Sequence, residues 1–126
     1  MFSLCSGTRV KETNTYATEK DMYLNHNACS YKVEKCNDME LYNLKYSGPF
    51  IANYNNIKHF FGEPQILDFY RGPFAFEVIW YIKFNDGSIA CISKYFKYKR
   101  EIYNEIKWRL CINKDIALTH IISMFI

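Results

Sequence analysis

The chain has few of the residues that build nucleotide-binding loops and no segment that suits a membrane. Its five glycines form neither a glycine-rich phosphate loop nor a dinucleotide fingerprint. No run approaches the roughly 18 to 20 uninterrupted apolar residues that a membrane span needs. The N-terminus lacks a basic stretch followed by an apolar one, so we expect no secretory signal. The net charge of +3 is too small to indicate a nucleic-acid partner by itself.

The cysteine count argues against a disulfide-bonded secreted protein. The five cysteines are an odd number, and no secretory signal accompanies them. We therefore expect reduced thiols in a cytosolic compartment. The cysteines are Cys5, Cys29, Cys36, Cys91 and Cys111.

Apolar and aromatic residues are plentiful enough for a folded core. The apolar fraction is 49%, and 11 Tyr, 10 Phe and 2 Trp bring the aromatic fraction to 18% of 126 residues. This length and composition predict one domain. Residues 1–38 are polar and weakly patterned, which indicates an irregular N-terminal arm with one short strand near residues 29–33. Residues 39–126 are predicted to form a single α+β domain.

A β-hairpin is the clearest structural prediction. Residues 74–84 and 88–95 are rich in β-branched and aromatic residues, and they flank the turn pair Asp86-Gly87. A third strand is predicted at residues 106–112, with Trp108, Leu110 and Ile112 on one face. These strands indicate an antiparallel sheet of three or more strands.

The remaining elements are predicted from local breakers and caps. Residues 40–46 suggest a strand that Ser47-Gly48-Pro49 would end. A short helix is expected over residues 51–61, followed by Gly62 as its C-terminal glycine. A C-terminal helix is expected over residues 114–124, with Asn113 as its N-cap. The overall expectation is an α+β fold in which one or two helices pack on the sheet.

The order of these motifs resembles a loosely defined group of small proteins of large DNA viruses and phages. The resemblance rests on Phe61-Gly62-Glu63-Pro64, on the hairpin from Trp80 to Ala90, and on Trp108 in a strand before a closing helix. It covers about residues 57–126 and implies a small α+β viral protein in the host cytoplasm or the virion. It implies no catalytic residue, because the shared positions are a cap, a turn and core aromatics. Ser93-Lys94-Tyr95 departs from the acidic pattern of the group.

A basic segment after the hairpin is the candidate ligand site. Residues 94–109 carry six basic and two acidic residues, a local excess of +4, interleaved with aromatics. Basic groups neutralise phosphates and aromatic faces stack on bases, so this mixture suits a nucleotide or single-stranded nucleic acid. The alternative is a solvated loop whose lysines keep it soluble. The candidate residues are Lys94, Lys97, Tyr98, Lys99, Arg100, Tyr103, Lys107 and Arg109.

Metal and catalytic sites have weaker support. His26, Cys29 and Cys36 could contribute to a structural zinc site, but paired Cys-x-x-Cys motifs are absent. We favour unrelated thiols and therefore expect no cofactor. His120 on the apolar side of the last helix suits a core histidine better than a general base. Without an organised catalytic set, we expect a protein that is not an enzyme.

Association is the leading expectation from composition. Tyr, Trp, Phe and Arg are enriched at the cores of protein interfaces, and a chain of this size cannot bury all of its aromatics. The apolar C-terminal residues add to this surface. We therefore expect a homo-oligomer, or contact with a viral or host protein and no membrane. Nucleotide or single-stranded nucleic-acid binding that counteracts host defence is the alternative.

Overall fold

The computed structural model describes residues 9–11, 14–16, 30–68 and 75–125, the first two ranges by their backbone only. The helices are α1 (Asp38–Tyr42), α2 (Tyr54–Phe61), the 3₁₀ helix (Lys99–Asn104) and α3 (Asp115–Phe125). The strands are β1 (Arg9–Lys11), β2 (Asn14–Tyr16), β3 (Tyr31–Val33), β4 (Lys45–Ile51), β5 (Gln65–Asp68), β6 (Phe76–Phe84), β7 (Ile89–Phe96) and β8 (Lys107–Ile112).

The strands of the described residues form one sheet, which confirms the predicted α+β fold. Their order is β2-β1-β3-β6-β7-β8-β4, and β5 pairs with the part of β6 that β3 leaves open. All pairs are antiparallel except β1 with β3. The described parts of the N-terminal arm are therefore strands of this sheet, and β3 lies where a short strand was predicted.

The predicted hairpin is confirmed as β6 and β7. Its register runs from the pair Phe76–Phe96 to the pair Lys83–Ile89. Gly87 follows Asp86 with a φ of 89°, and its N–H donates to the carbonyl of Phe84 at 3.1 Å. A side chain is strained at this φ, so glycine is the residue that the turn requires.

One face of the sheet carries the main core. Alternate residues of β6, β7 and β8 pack there against α2 and α3, and Trp80 and Trp108 are almost completely buried. The indole nitrogens of Trp80 and Trp108 donate to the carbonyls of Gly62 and Ala52 at 2.8 and 2.9 Å. These bonds hold the two ends of α2, because Ala52 precedes this helix and Gly62 follows it.

The second face of the sheet is partly covered by residues 34–44, which we call the crossing segment. Cys36 and Leu44 of this segment pack on Tyr81, Ile89 and Cys91 of β6 and β7. The segment leads from β3 to β4, which lie on opposite sides of the β6–β7 hairpin in the strand order. The segment therefore covers this face near the β6–β7 turn and leaves it uncovered at the first residues of β8 and the β4 residues paired with them.

The prediction of a strand over residues 40–46 is wrong, because α1 continues to Tyr42 and β4 begins only at Lys45. The side chain of Asn37 accepts a hydrogen bond from the N–H of Glu40 at 2.8 Å. The carboxylate of Glu40 in turn accepts from the N–H of Asn37 at 2.8 Å. This reciprocal capping box favours a helix start more strongly than the apolar residues favour a strand.

The predicted break at Ser47-Gly48-Pro49 is also wrong, because β4 runs through these residues. A register shift between Tyr46 and Gly48 absorbs the irregularity, and Gly48 has a φ of 130°. Because β4 is the last strand in the order, its outer edge does not need a donor from Pro49. An edge strand can therefore contain residues that would interrupt a central strand.

Helix α2 is confirmed, including Gly62 after its last residue, but it begins three residues later than predicted. The predicted start at Ile51 is wrong, because Ile51 ends β4 and Asn53 caps the helix by accepting from the N–H of Asn56 at 2.8 Å. The C-terminal helix is also confirmed. No described helix is long and apolar enough to cross a membrane.

The prediction that Asn113 caps the C-terminal helix is wrong. Its side-chain oxygen accepts from the N–H of Ile89 at 2.7 Å, and its amide nitrogen donates to the carbonyl of Gly87 at 3.2 Å. Asn113 therefore binds the end of β8 to the hairpin turn. The sequence signal for a cap was local, whereas the partners lie on a different strand.

Candidate functional site

The part of the second sheet face that the crossing segment leaves uncovered carries tyrosines and basic residues. Side chains alternate between the two faces of a strand, so Lys107, Arg109 and Cys111 share one face of β8. The β4 residues paired with them are Ile51, Pro49 and Tyr46. On β7, Tyr95 points to the same face. We call this surface the open face; its residues are Tyr46, Pro49, Ile51, Tyr95, Lys107 and Arg109.

A groove forms where β7 and β8 separate. Their pairing ends at Ser93 and Arg109, whereas β7 continues along β6 and the first part of β8 continues along β4. The separation leaves a groove of about 210 Å³, which we call the β7–β8 groove. It is lined by Tyr46, Pro49, Lys94, Lys107, Trp108 and Arg109.

The electrostatics of the β7–β8 groove are positive. The Lys94 Nζ atom lies 3.3 Å from Glu105 Oε1, so this lysine is already paired. Among the described residues, no carboxylate oxygen lies within 4.0 Å of the charged nitrogens of Lys107 or Arg109. Two exposed cations in this groove are therefore available to an anionic ligand.

The Arg109 guanidinium is held in place over an aromatic ring. Its central carbon lies 5.0 Å from the ring centre of Tyr46, which is 58% exposed. A hydrogen bond to Cys111, two residues along β8, raises the pKa of Arg109 above its ordinary value. The guanidinium covers one face of the ring, so the cation is available to a phosphate and the rest of the exposed ring to a base.

A half-buried carboxylate moderates the positive charge of the open face. Burial raises the pKa of Glu77 above its ordinary value, although a hydrogen bond from Ser93 and the charge of Arg109 act in the opposite direction. Next to it, burial raises the pKa of Tyr81 to about 12. Tyr81 is therefore uncharged at pH 7, so of these two groups only Glu77 can offset the positive charge of the open face.

The structure brings together only three of the eight residues predicted for ligand binding. Lys94, Lys107 and Arg109 line the β7–β8 groove. Lys97 and Arg100 lie beyond the end of β7, 5.5 and 4.5 Å from the ring centre of Tyr98. The exposed Lys99 starts the 3₁₀ helix, and the ring of Tyr103 contacts Tyr54 of α2 at 5.4 Å.

Sequence reasoning missed Tyr46 and Pro49, although both line the groove. They lie far from residues 94–109 along the chain and reach the site only because β4 pairs with β8. The sequence offered a break at Pro49, so it suggested the end of a strand where the strand continues. A prediction of β4 as the edge partner of β8 would have been needed to place them.

His120 lies in a buried hydrogen-bonded group at the hairpin turn. Its side chain is 3% exposed, and Nε2 lies 2.7 Å from Oδ2 of Asp86. The other carboxylate oxygen accepts from the N–H and the hydroxyl of Ser88 at 2.9 and 2.6 Å. The carboxylate lies between the hydroxyl and the imidazole, whereas nucleophilic catalysis needs the imidazole next to the hydroxyl. The group therefore binds the turn to α3 and does not form a triad.

The proposed zinc ligands fall mostly outside the described residues. His26 and Cys29 belong to the part of the chain that is not described, and Cys36 of the crossing segment is buried against the sheet. Burial raises the pKa of Cys36 to about 11 and that of Cys91 further. No group of three or more His, Cys, Asp or Glu within residues 30–68 and 75–125 could hold a metal ion. The zinc hypothesis stays a prediction.

Comparison with protein-family models, curated protein sequences and solved structures finds no match to this chain.

Proposed function

We propose that this protein binds single-stranded nucleic acid on the open face of its sheet. The observation that carries the proposal is the pairing of the exposed Tyr46 ring with Arg109, beside the unpaired Lys107 and in a groove. Stacking on exposed rings holds bases of any sequence, and cations beside the rings neutralise the backbone. The open face offers exposed rings and cations over the length of several nucleotides.

The identity of the exposed aromatic residues supports this proposal, because they are tyrosines. Among the described residues, the exposed Phe, Tyr and Trp side chains are all tyrosines. Tyrosine combines a stacking face with a hydroxyl that stays hydrated, whereas a ring used only for packing is often Phe. The exposed tyrosines are Tyr42, Tyr46, Tyr95, Tyr98 and Tyr103.

Binding to a fluorescein-labelled oligothymidine, followed by anisotropy at several salt concentrations, tests the proposal. If about three phosphates are neutralised, the affinity should fall roughly 20-fold between 50 and 200 mM salt. The same sequence in a duplex, with its bases paired, should bind more weakly because it cannot stack on Tyr46. No binding at low salt, or an affinity that does not change with salt, would contradict the proposal.

Protein association is a second candidate function, favoured by an exposed apolar pair at the edge of the sheet. Ile51 and Ile106 are 60% and 57% exposed, and they lie on neighbouring backbones because Ala52 N–H donates to the carbonyl of Ile106 at 2.9 Å. Pro49 and the bulge in β4 hinder pairing with another strand. A partner would therefore contact side chains rather than extend the sheet.

Multi-angle light scattering tests association with a second copy of the chain. If Ile51 and Ile106 form the contact, the wild type should have a concentration-dependent mass above that of the 15.1 kDa chain. The variant Ile51→Glu should be monomeric, and the exposed Ile66→Glu should retain the wild-type mass. A monomeric wild type at all concentrations excludes self-association.

A further inference from the structure

We infer that the ligand is an oligonucleotide that occupies two grooves on either side of Tyr46, and not a single nucleotide. This inference rests on the proposed function and narrows its ligand class. Tyr46 lines the β7–β8 groove and also a second groove of about 200 Å³. A ring shared by two grooves can stack one base while each groove holds the backbone on one side of it.

The second groove lies between β4 and the start of α3, and we call it the β4–α3 groove. Lys45 and Ser47 of β4 line it together with Lys114 and Asp115. Lys45 and Lys114 have no carboxylate oxygen within 4.0 Å among the described residues. Their two positive charges exceed the one negative charge of Asp115, so this groove also attracts phosphate.

The two grooves follow the same pair of strands. Lys107 begins β8 at the first groove, and Lys114 follows the end of β8 at the second. Strand β8 covers Lys107–Ile112, and at about 3.3 Å per residue its five steps extend roughly 17 Å. This length exceeds the reach of one nucleotide, and single domains that bind single strands contact about 4 nucleotides or more.

Charge also favours a chain over a compact ligand. The cations that line the two grooves are spread along β4 and β8 and just beyond β8 instead of converging on one point, and no glycine-rich loop gathers backbone N–H groups around a phosphate. A nucleotide could contact one groove at a time. Only an extended backbone contacts both grooves at once.

A length series of oligothymidines tests this inference. Affinity, measured by competition against labelled (dT)8 at 25 mM salt, should rise at least about tenfold from (dT)2 to (dT)4. A longer strand can also bind in more than one alignment, but this statistical effect raises the apparent affinity only a few-fold, which is less than the expected increase. Thymidine monophosphate should compete weakly.

Charge reversal in the second groove separates the two proposals. The double variant Lys45→Glu, Lys114→Glu should weaken (dT)8 about tenfold and leave (dT)2 binding within twofold. The control Lys32→Glu, Lys35→Glu has the same change in net charge on exposed residues outside both grooves, and it should affect (dT)8 less. If (dT)2 and (dT)8 bind equally and the Lys45, Lys114 variant matches its control, the inference is overturned although the proposed function stands. If no oligothymidine binds to the wild type, both are overturned.

Discussion

At the scale of single residues, the carboxylate of Asp86 uses both of its oxygens in hydrogen bonds. Asp86 lies in the hairpin turn, yet its carboxylate accepts from Ser88 on one oxygen and contacts the buried His120 on the other. Burial alone would raise the pKa of Asp86, but the hydrogen bonds from Ser88 and His120 outweigh burial and hold it below its ordinary value of 3.8. One turn residue thus joins the β6–β7 hairpin to α3.

This arrangement predicts a specific dependence of stability on pH. Because the folded-state pKa of Asp86 is depressed, its contribution to stability is present above the unfolded-state pKa and is lost as pH falls through the folded-state pKa. The free energy of unfolding, measured by urea denaturation, should therefore decrease below about pH 4. Asp86→Asn should cost about 1–3 kcal/mol at pH 7, because a charged hydrogen-bond acceptor is lost, and it should flatten this acid decrease.

The control for this prediction is an exposed aspartate that makes no such contact with any described residue. Asp68→Asn removes the same charge from β5, where the side chain is exposed. It should change stability at pH 7 by less than about 0.5 kcal/mol and keep the wild-type acid decrease. The account of Asp86 is wrong if both variants retain the same slope below pH 4.

At the scale of elements, the crossing segment determines how much of the second sheet face is open. Its helix α1 is short and has no buried residue, so packing alone does not explain it. The capping box of Asn37 and Glu40 starts the helix, and Lys83 of β6 reaches Glu40 at 3.0 Å and Glu34 at 3.2 Å. Polar contacts therefore hold the start of the segment, and the apolar packing of Cys36 and Leu44 holds it against the sheet.

Removing the cap should loosen this segment without unfolding the sheet. Asn37→Ala should cost about 1 kcal/mol, since N-cap substitutions to alanine cost about 0.5–2 kcal/mol. Amide hydrogen exchange should accelerate within residues 38–44 and stay unchanged in β6 and β7. Asn55→Ala, an exposed position inside α2, is the matched control and should be neutral or slightly stabilising. Equal losses in both variants would contradict the capping role of Asn37.

Elements with strong local signals could be predicted from the sequence, and elements fixed by distant partners could not. The hairpin has its Asp-Gly turn, and α2 has Gly62 at its end, so both were found. The Asn37–Glu40 capping box is also a local signal, but the prediction for this region rested on the apolar residues of 40–46 instead. By contrast, Asn113 has the sequence position of a helix N-cap, but its side chain bonds to Ile89 and Gly87 instead. These partners are distant in sequence, so local patterns could not predict them.

At the scale of the whole molecule, the sheet has two different surfaces. One face carries α2, α3 and the core with both tryptophans, so its residues serve stability. On this side the indole nitrogen of Trp80 donates to the carbonyl of Gly62, so both residues serve the core. The other face is open beyond the crossing segment, and its tyrosines and basic residues remain exposed. The proposed binding of nucleic acid therefore belongs to the second face.

The candidate site could be predicted only in part, for a topological reason. The basic and aromatic composition of residues 94–109 predicted a ligand site, and Lys94, Lys107 and Arg109 of this segment line the β7–β8 groove. Composition does not show that the segment turns through a 3₁₀ helix, which carries Lys99 and Arg100 away from the groove. It also does not show that β4 brings Tyr46 beside Arg109.

A comparison of two charge reversals tests the assignment to the open face most directly. The variants Lys107→Glu, Arg109→Glu and Lys97→Glu, Arg100→Glu change the net charge by the same amount, so general attraction falls equally. We predict that the first variant weakens binding of (dT)8 at least about 20-fold at 50 mM salt, and that the second weakens it only a few-fold. Thermal unfolding confirms that both remain folded. Equal losses, or a greater loss in the second variant, would contradict binding at the open face.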